Sequence, residues 1–106
     1  MSISHAAFFK MLSARSRVRI LQVLAEKGEI SVDELSSQLS VTSTTVSRHL
    51  QLLRMHGLVT VRQEAQNRFY SLNREYIAQQ IALFLDDLAI ELPEKAGQVY
   101  ASSRRK

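Results

Sequence analysis

The chain has no cysteine and no tryptophan, and only one proline and three glycines in 106 residues. Without cysteine there is no disulfide, no thiolate metal site and no thiol redox sensor, and a cytoplasmic setting is expected. Long apolar runs are also missing. No stretch approaches the roughly 20 residues that a membrane-spanning helix needs, and no signal peptide is expected ahead of the fold. No Gly-rich phosphate loop, no HExxH and no nucleophile with a paired base can be found. Ser47 and His49 are two apart on one helix and face away from each other. The chain is therefore not expected to be an enzyme, and no cofactor is expected.

What is present is an ordinary globular composition, 45% apolar and 23% charged. That predicts one domain over residues 1–93, followed by a flexible tail over 94–106. The net charge of +4 is unevenly spread. Residues 1–74 carry ten Lys or Arg against five acids, whereas residues 75–94 carry five acids and no base. A basic half suits phosphates, and an acidic segment suits a different neighbour.

The most informative stretch is Ile30 to Gly57. Ser31 followed by Glu34 is a capping box, with Ile30 and Leu35 as its hydrophobic staple. Leu35 and Leu39 give a first short helix its buried stripe. Ser40 and Val41 make a turn. Thr42 caps a second helix, in which Val46, Leu50 and Leu53 recur at helical spacing. Gly57 stands where a left-handed residue would stop that helix. Its other face presents Ser43, Thr44, Thr45, Ser47, Arg48, His49, Gln51 and Arg54, with no acid among them. Arg can fork onto guanine in a major groove, and hydroxyls and amides can reach base edges or phosphates. These eight residues are the candidate DNA contacts of the helix.

Two helices are predicted ahead of this motif. Residues 4–12 carry Ala7, Phe8, Met11 and Leu12 on one side, with Phe9 off that stripe. Residues 14–27 carry Val18, Leu21 and Ala25, widened by Ile20 and Leu24, and close on Gly28. Arg15, Arg17 and Arg19 near the start of that second helix oppose its dipole, which leaves phosphate contact and pairing within the fold both open. Behind the motif, residues 58–62 and 68–72 are rich in β-branched and aromatic residues and predict a hairpin. Its loop of 63–67, with Arg62, Gln66, Asn67 and Arg68 around it, is placed to meet flanking backbone.

Asn73 predicts the cap of a last helix over 74–92, ended by Pro93. It carries two apolar stripes: Ile77, Ile81, Phe84, Leu88 and Leu92, and Tyr76, Leu83 and Ile90. A helix packed on one side needs one stripe. A homodimer through the first and last helices is therefore expected, with Phe8, Phe9, Tyr76, Ile77, Leu83, Phe84 and Leu88 at its interface. Packing of those two helices on each other within one chain is the alternative. The expected fold is mainly α with a small β-hairpin, a winged helix-turn-helix of order α-α-α-α-β-β-α.

Phe9-Lys10-Met11-Leu12-Ser13, Arg17-Val18-Arg19-Ile20-Leu21, Ser31-Val32-Asp33-Glu34-Leu35, Thr45-Val46-Ser47-Arg48-His49-Leu50 and Gly57-Leu58-Val59 together resemble the ArsR/SmtB family of small winged-helix repressors. The resemblance covers roughly residues 7–92. It implies a dimer that occludes a promoter, binds double-stranded DNA at a palindromic operator, and lets go when a metal or small-molecule effector binds. The sensor positions depart from the family. Where metal-sensing members place cysteines, this chain has Ile30-Ser31-Val32-Asp33. Where others place ligands on the last helix, it has Arg74, Tyr76, Asp87 and Ile90, of which only Asp87 could bind a metal. No metal site is expected; the one conceivable mixed site joins His5 to Asp86, Asp87 or Glu91 of a partner's last helix. The competing function is a winged-helix protein-interaction module without sequence-specific DNA binding.

Overall fold

The structure is a computed structural model and describes residues 5–93. The expected tail over 94–106 lies outside the described residues. Helix α1 (His5–Met11) leads into α2 (Arg15–Lys27), and a two-residue strand β1 (Ile30–Ser31) follows. Helices α3 (Val32–Leu39) and α4 (Ser43–Met55) form the helix-turn-helix. Strands β2 (Val59–Glu64) and β3 (Asn67–Leu72) form the hairpin, and α5 (Arg74–Asp87) closes the fold.

The caps follow the sequence closely. Ser31 accepts from the Glu34 amide at 3.2 Å while the Glu34 carboxylate accepts from the Ser31 amide, so the capping box is complete. Thr42 accepts from the Thr45 amide, and Asn73 accepts from the Tyr76 amide. At the end of α4, Gly57 has φ +85°; its amide reaches the Arg54 carbonyl and the Leu58 amide reaches that of Leu53. This is a Schellman closure, which removes two orphan carbonyls.

The sheet is larger than a hairpin. β1 pairs antiparallel with β3, with Ile30 opposite Tyr70, and the strand order is β1-β3-β2. The expected order therefore gains a strand before α3. The wing also differs in length. Its strands run through Gln63, Glu64 and Asn67, with Glu64 opposite Asn67, and only Ala65 and Gln66 remain as the turn. Ala65 takes φ +56°, which permits so tight a reversal.

The core joins Ile20 and Leu24 of α2 to Leu35 of α3, Val46, Leu50 and Leu53 of α4, and Ile30, Leu58, Val59 and Tyr70 around the sheet. Ile20 and Leu24 are the fully buried residues of α2, Leu21 packs half-buried against them, and Ala25, expected on the stripe, is exposed. Arg17 does not project outward. Its guanidinium donates to the carbonyls of Lys10 and Met11 and so caps the end of α1.

Helix α1 packs on α5 within the chain, the alternative weighed for these two helices, and this absorbs part of their apolar excess. Phe8 is 3% exposed and belongs to the core. Phe9 meets Phe84 edge to face at 4.7 Å, and Phe8 meets Tyr76 at 6.5 Å. Ile77 packs against the core from α5. Phe8, Phe9, Tyr76, Ile77 and Phe84 thus spend much of their apolar surface inside one protomer, whereas Leu83 and Leu88 are exposed.

Helix α5 stops before the expected position 92. Leu88 is its C-cap, and Ala89 takes φ +56°. The Ala89 amide reaches the Asp86 carbonyl and the Ile90 amide that of Leu85, a second Schellman closure. It folds Ile90 back beside Leu85. With Ala78, Ile81, Ala82 and Leu92 these residues line an open apolar cavity of about 390 Å³. Ala78, Ala82 and Leu85 were not part of the expected interface.

Candidate nucleic-acid interface

Helix α4 buries Val46, Leu50 and Leu53, which turns the polar residues between them outward. Ser43, Thr44, Ser47, Arg48 and Gln51 line one shared concavity with Val32. The structure therefore brings together five of the eight residues expected on this helix. Arg48 is exposed and makes no ion pair among the described residues. Ser43 donates to Asp33 of α3 at 3.2 Å, which ties the two helices together and sets one carboxylate beside a face read from the sequence as acid-free.

The other three go elsewhere. The Thr45 hydroxyl accepts from that of Thr42 at 3.0 Å and completes the helix cap. His49 turns toward α2, where its Nε2 lies 3.2 Å from the Ser16 hydroxyl and its buried Nδ1 has no hydrogen-bond partner among the described residues. Its pKa is lowered, first by desolvation and then by the charges of Arg17 and Arg48, so the imidazole is held neutral. Arg54, at the far end of the helix, opens onto a separate cavity with Phe8, Tyr76 and Gln80.

The wing residues divide in the same way. Arg62 donates to both carboxylate oxygens of Glu29, at 2.9 and 3.0 Å, and to Glu64 at 2.7 Å. It also lies over the Phe69 ring, 4.9 Å from the centroid. The hydrogen bond from Arg62 holds the Glu29 carboxyl below its usual range, and the same pairing raises Arg62 further. Arg62 is thus a brace between the α2–β1 turn and the wing, with three of its five N–H donors bonded to carboxylates. Gln66, Asn67 and Arg68 are exposed at the tip, and Arg68 has no ion pair among the described residues.

Arg15 and Arg19 are the cations that sequence reasoning left undecided. Both are exposed, without an ion pair among the described residues, and they share a cavity with Ser16, Leu39 and Val41 beside the turn of the helix-turn-helix. Their spacing of four on α2 was the available signal.

The conceivable metal site takes a different form from the one expected. His5 Nε2 lies 3.0 Å from Asp87 Oδ2 in the same chain, so the contact needs no partner. Asp86 does not join it: among the described residues no three His, Cys, Asp or Glu side chains converge as a metal site would require. Among those residues, too, no helix is long and apolar enough to cross a membrane.

Comparison with known proteins agrees with this geometry. A family described as a helix-turn-helix domain matches residues 12–62. The regulator KmtR of Mycobacterium tuberculosis is 41% identical over 71 residues, a match that covers 67% of this chain and 54% of KmtR. The transcriptional activator HlyU of Vibrio cholerae is 38% identical over 82 residues, covering 77% of this chain and 75% of HlyU. The structure of that HlyU superposes with a TM-score of 0.64 at 37% identity, over 76% of this chain and 87% of the other. The homodimeric winged helix-turn-helix DNA-binding domain of Mb0332 from Mycobacterium bovis gives a TM-score of 0.64 at 32% identity, over 79% and 77% of the two chains. With its helix-turn-helix, its wing and these relatives, the chain belongs to the ArsR/SmtB family of winged helix-turn-helix transcriptional regulators.

Proposed function

We propose that the protein binds DNA sequence-specifically as a homodimer and acts as a repressor that an effector releases. The observation that carries this reading is the outer face of α4, where Ser43, Thr44, Ser47, Arg48 and Gln51 surround one concavity and Arg48 has no carboxylate partner. Arg48 is the base reader or phosphate clamp. Arg15, Arg19 and Arg68 are free to neutralise flanking phosphates, while Arg62 holds the wing in place. A two-fold dimer would set its half-sites about 34 Å apart on a palindromic operator. HlyU is named an activator, so the sign of regulation depends on where the operator lies relative to the promoter.

The test is a mobility shift with the DNA upstream of the protein's own coding region, against unrelated DNA of equal length. The native protein should prefer its own region. Arg48→Ala should bind it about tenfold to a hundredfold more weakly, the loss of one good bidentate contact. No preference by the native protein would remove sequence-specific regulation and favour a protein-interaction role. Equal binding by Arg48→Ala would remove the assignment of Arg48.

A further inference from the structure

A second cavity lies where α1, the end of α4 and the start of α5 meet. Its volume is about 330 Å³, and Phe8, Arg54, His56, Gly57, Tyr76 and Gln80 are on its wall. Gln80 is the residue that needs a reason. It is the one buried polar side chain among the described residues, 3% exposed, and its Oε1 has no hydrogen-bond partner there. Phe8 and Tyr76 are among the residues that share this cavity with it, and a leucine would fill the same space without the desolvation penalty of an unpaired amide. The remaining polar groups are at the rim. Arg54 is exposed and without an ion pair among the described residues. The His56 Nδ1 is 3.0 Å from the Leu52 carbonyl, which can only accept, so Nε2 is the polar atom that ring has left.

We infer that this cavity binds a small hydroxylated aromatic carboxylic acid. Phe8 and Tyr76, which meet each other edge to face at 6.5 Å, give the cavity an aromatic side against which one ring can pack. The Arg54 guanidinium suits a carboxylate, which it can hold bidentately. The Gln80 amide oxygen suits a hydroxyl donor at the buried end. The volume is at the small end of ligand pockets and fits a molecule with a single ring.

The site is coupled to α4 by contact. The Tyr76 ring lies so close over Gly57 that a Cβ there would come 2.7 Å from Cε2. Gly57 closes α4, so a ligand that moves Tyr76 moves the support under the end of that helix. Its carboxylate also neutralises a cation of α4 itself. The effect on DNA rests on the function proposed above and names its effector class; the binding site does not depend on that function.

The test uses the full chain without DNA. Titration with 4-hydroxybenzoate to about 1 mM, followed by calorimetry and by amide NMR shifts, should give saturable binding with shifts at residues 54–57 and 76–80. Thermal stability should rise with ligand. Loss of the carboxylate, in 4-hydroxybenzyl alcohol, should weaken binding about tenfold or more. Gln80→Leu should fold and bind 4-hydroxybenzoate at least about tenfold more weakly; Gln80→Met serves if the leucine variant does not fold. Absence of saturable binding to the native protein, or equal binding by the Gln80 variant, overturns the site. Operator affinity of the ligand-free protein is measured separately. A protein that binds the acid but no DNA keeps the pocket and loses the regulator reading; one that binds its operator but not the acid loses the pocket alone.

Discussion

His49 belongs to the DNA-facing helix by position but lies half-buried against α2. Its folded pKa lies below the ordinary value of 6.5, with burial as the main cause. Well above 6.5 the imidazole is neutral in both states and adds no pH dependence. As the pH falls below that value, the unfolded chain takes up a proton first and the folded chain lags, so stability decreases until the lowered folded pKa is reached. The melting temperature should therefore drop as the pH falls from about 7 toward 5, and His49→Gln should flatten part of that slope. An unchanged slope in the variant would place the titration on another group. Gly57 is the second residue whose setting decides its chemistry. Gly28 and Gly57 both have φ +85°, but a Cβ at Gly28 meets nothing within 4 Å. Gly57→Ala should cost about 2–3 kcal/mol, because the Tyr76 ring must give way as well as the backbone. Urea unfolding measures the loss, which should shrink when Tyr76 is also replaced by alanine; a loss unchanged in that background would assign it to the backbone alone.

At the scale of elements, what was legible in the sequence was local. The caps of α3 and α4 are made by side chains that reach amides three residues on, so Ser31, Glu34 and Thr42 announce them. The closure of α4 by Gly57 was equally readable. The end of α5 was not, because Ala89 occupies a left-handed position that usually marks itself with glycine, and Pro93 offered a later stop. β1 was hidden because two residues carry no periodicity and their partners, Phe69 and Tyr70, are far along the chain. The site was legible as a set of residue types, but not in its division of labour. No sequence pattern told Arg62 from Arg68, since Glu29 is brought to Arg62 only by the fold. That brace yields a prediction for the wing. Arg62→Met should leave the fold intact, speed amide exchange in β2 and β3, and weaken DNA binding less than Arg48→Ala does. The Glu29 carboxylate is held below its ordinary 4.5 by the Arg62 hydrogen bond, so the brace persists at neutral pH and is lost as the pH falls through that lowered value. Native and variant wings should exchange alike in acid, after correction for intrinsic rates. A difference that persisted there would assign the effect to the Phe69 contact instead.

Among the described residues, helix α5 presents an open apolar surface on the side away from α1. On one side α5 meets α1 through Phe84 and Phe9, and His5 bonds Asp87. On another it presents Ala78, Ala82 and Leu85, with Ile90 and Leu92 brought alongside by the turn at Ala89. Two alanines one helical turn apart allow a second helix to approach closely, and a two-fold axis would set the same patch against itself. We propose that the dimer contact uses this small-residue stripe rather than the aromatic one. The two choices predict different mutants. Phe84→Glu puts a charge among Phe9 and His5 and should detach α1, with loss of helix signal and stability. Ala82→Glu changes an exposed position, so the protomer should keep its circular dichroism. In a dimer it would set two carboxylates face to face near Asp86 of each copy, and like charges held that close disfavour association. Sedimentation should give a dimer for the native chain and a folded monomer for Ala82→Glu, with operator affinity reduced because each half-site is then bound alone. A folded Ala82→Glu that still sediments as a dimer would place the interface elsewhere, and a monomeric native chain would remove the two-fold arrangement on which the operator spacing depends.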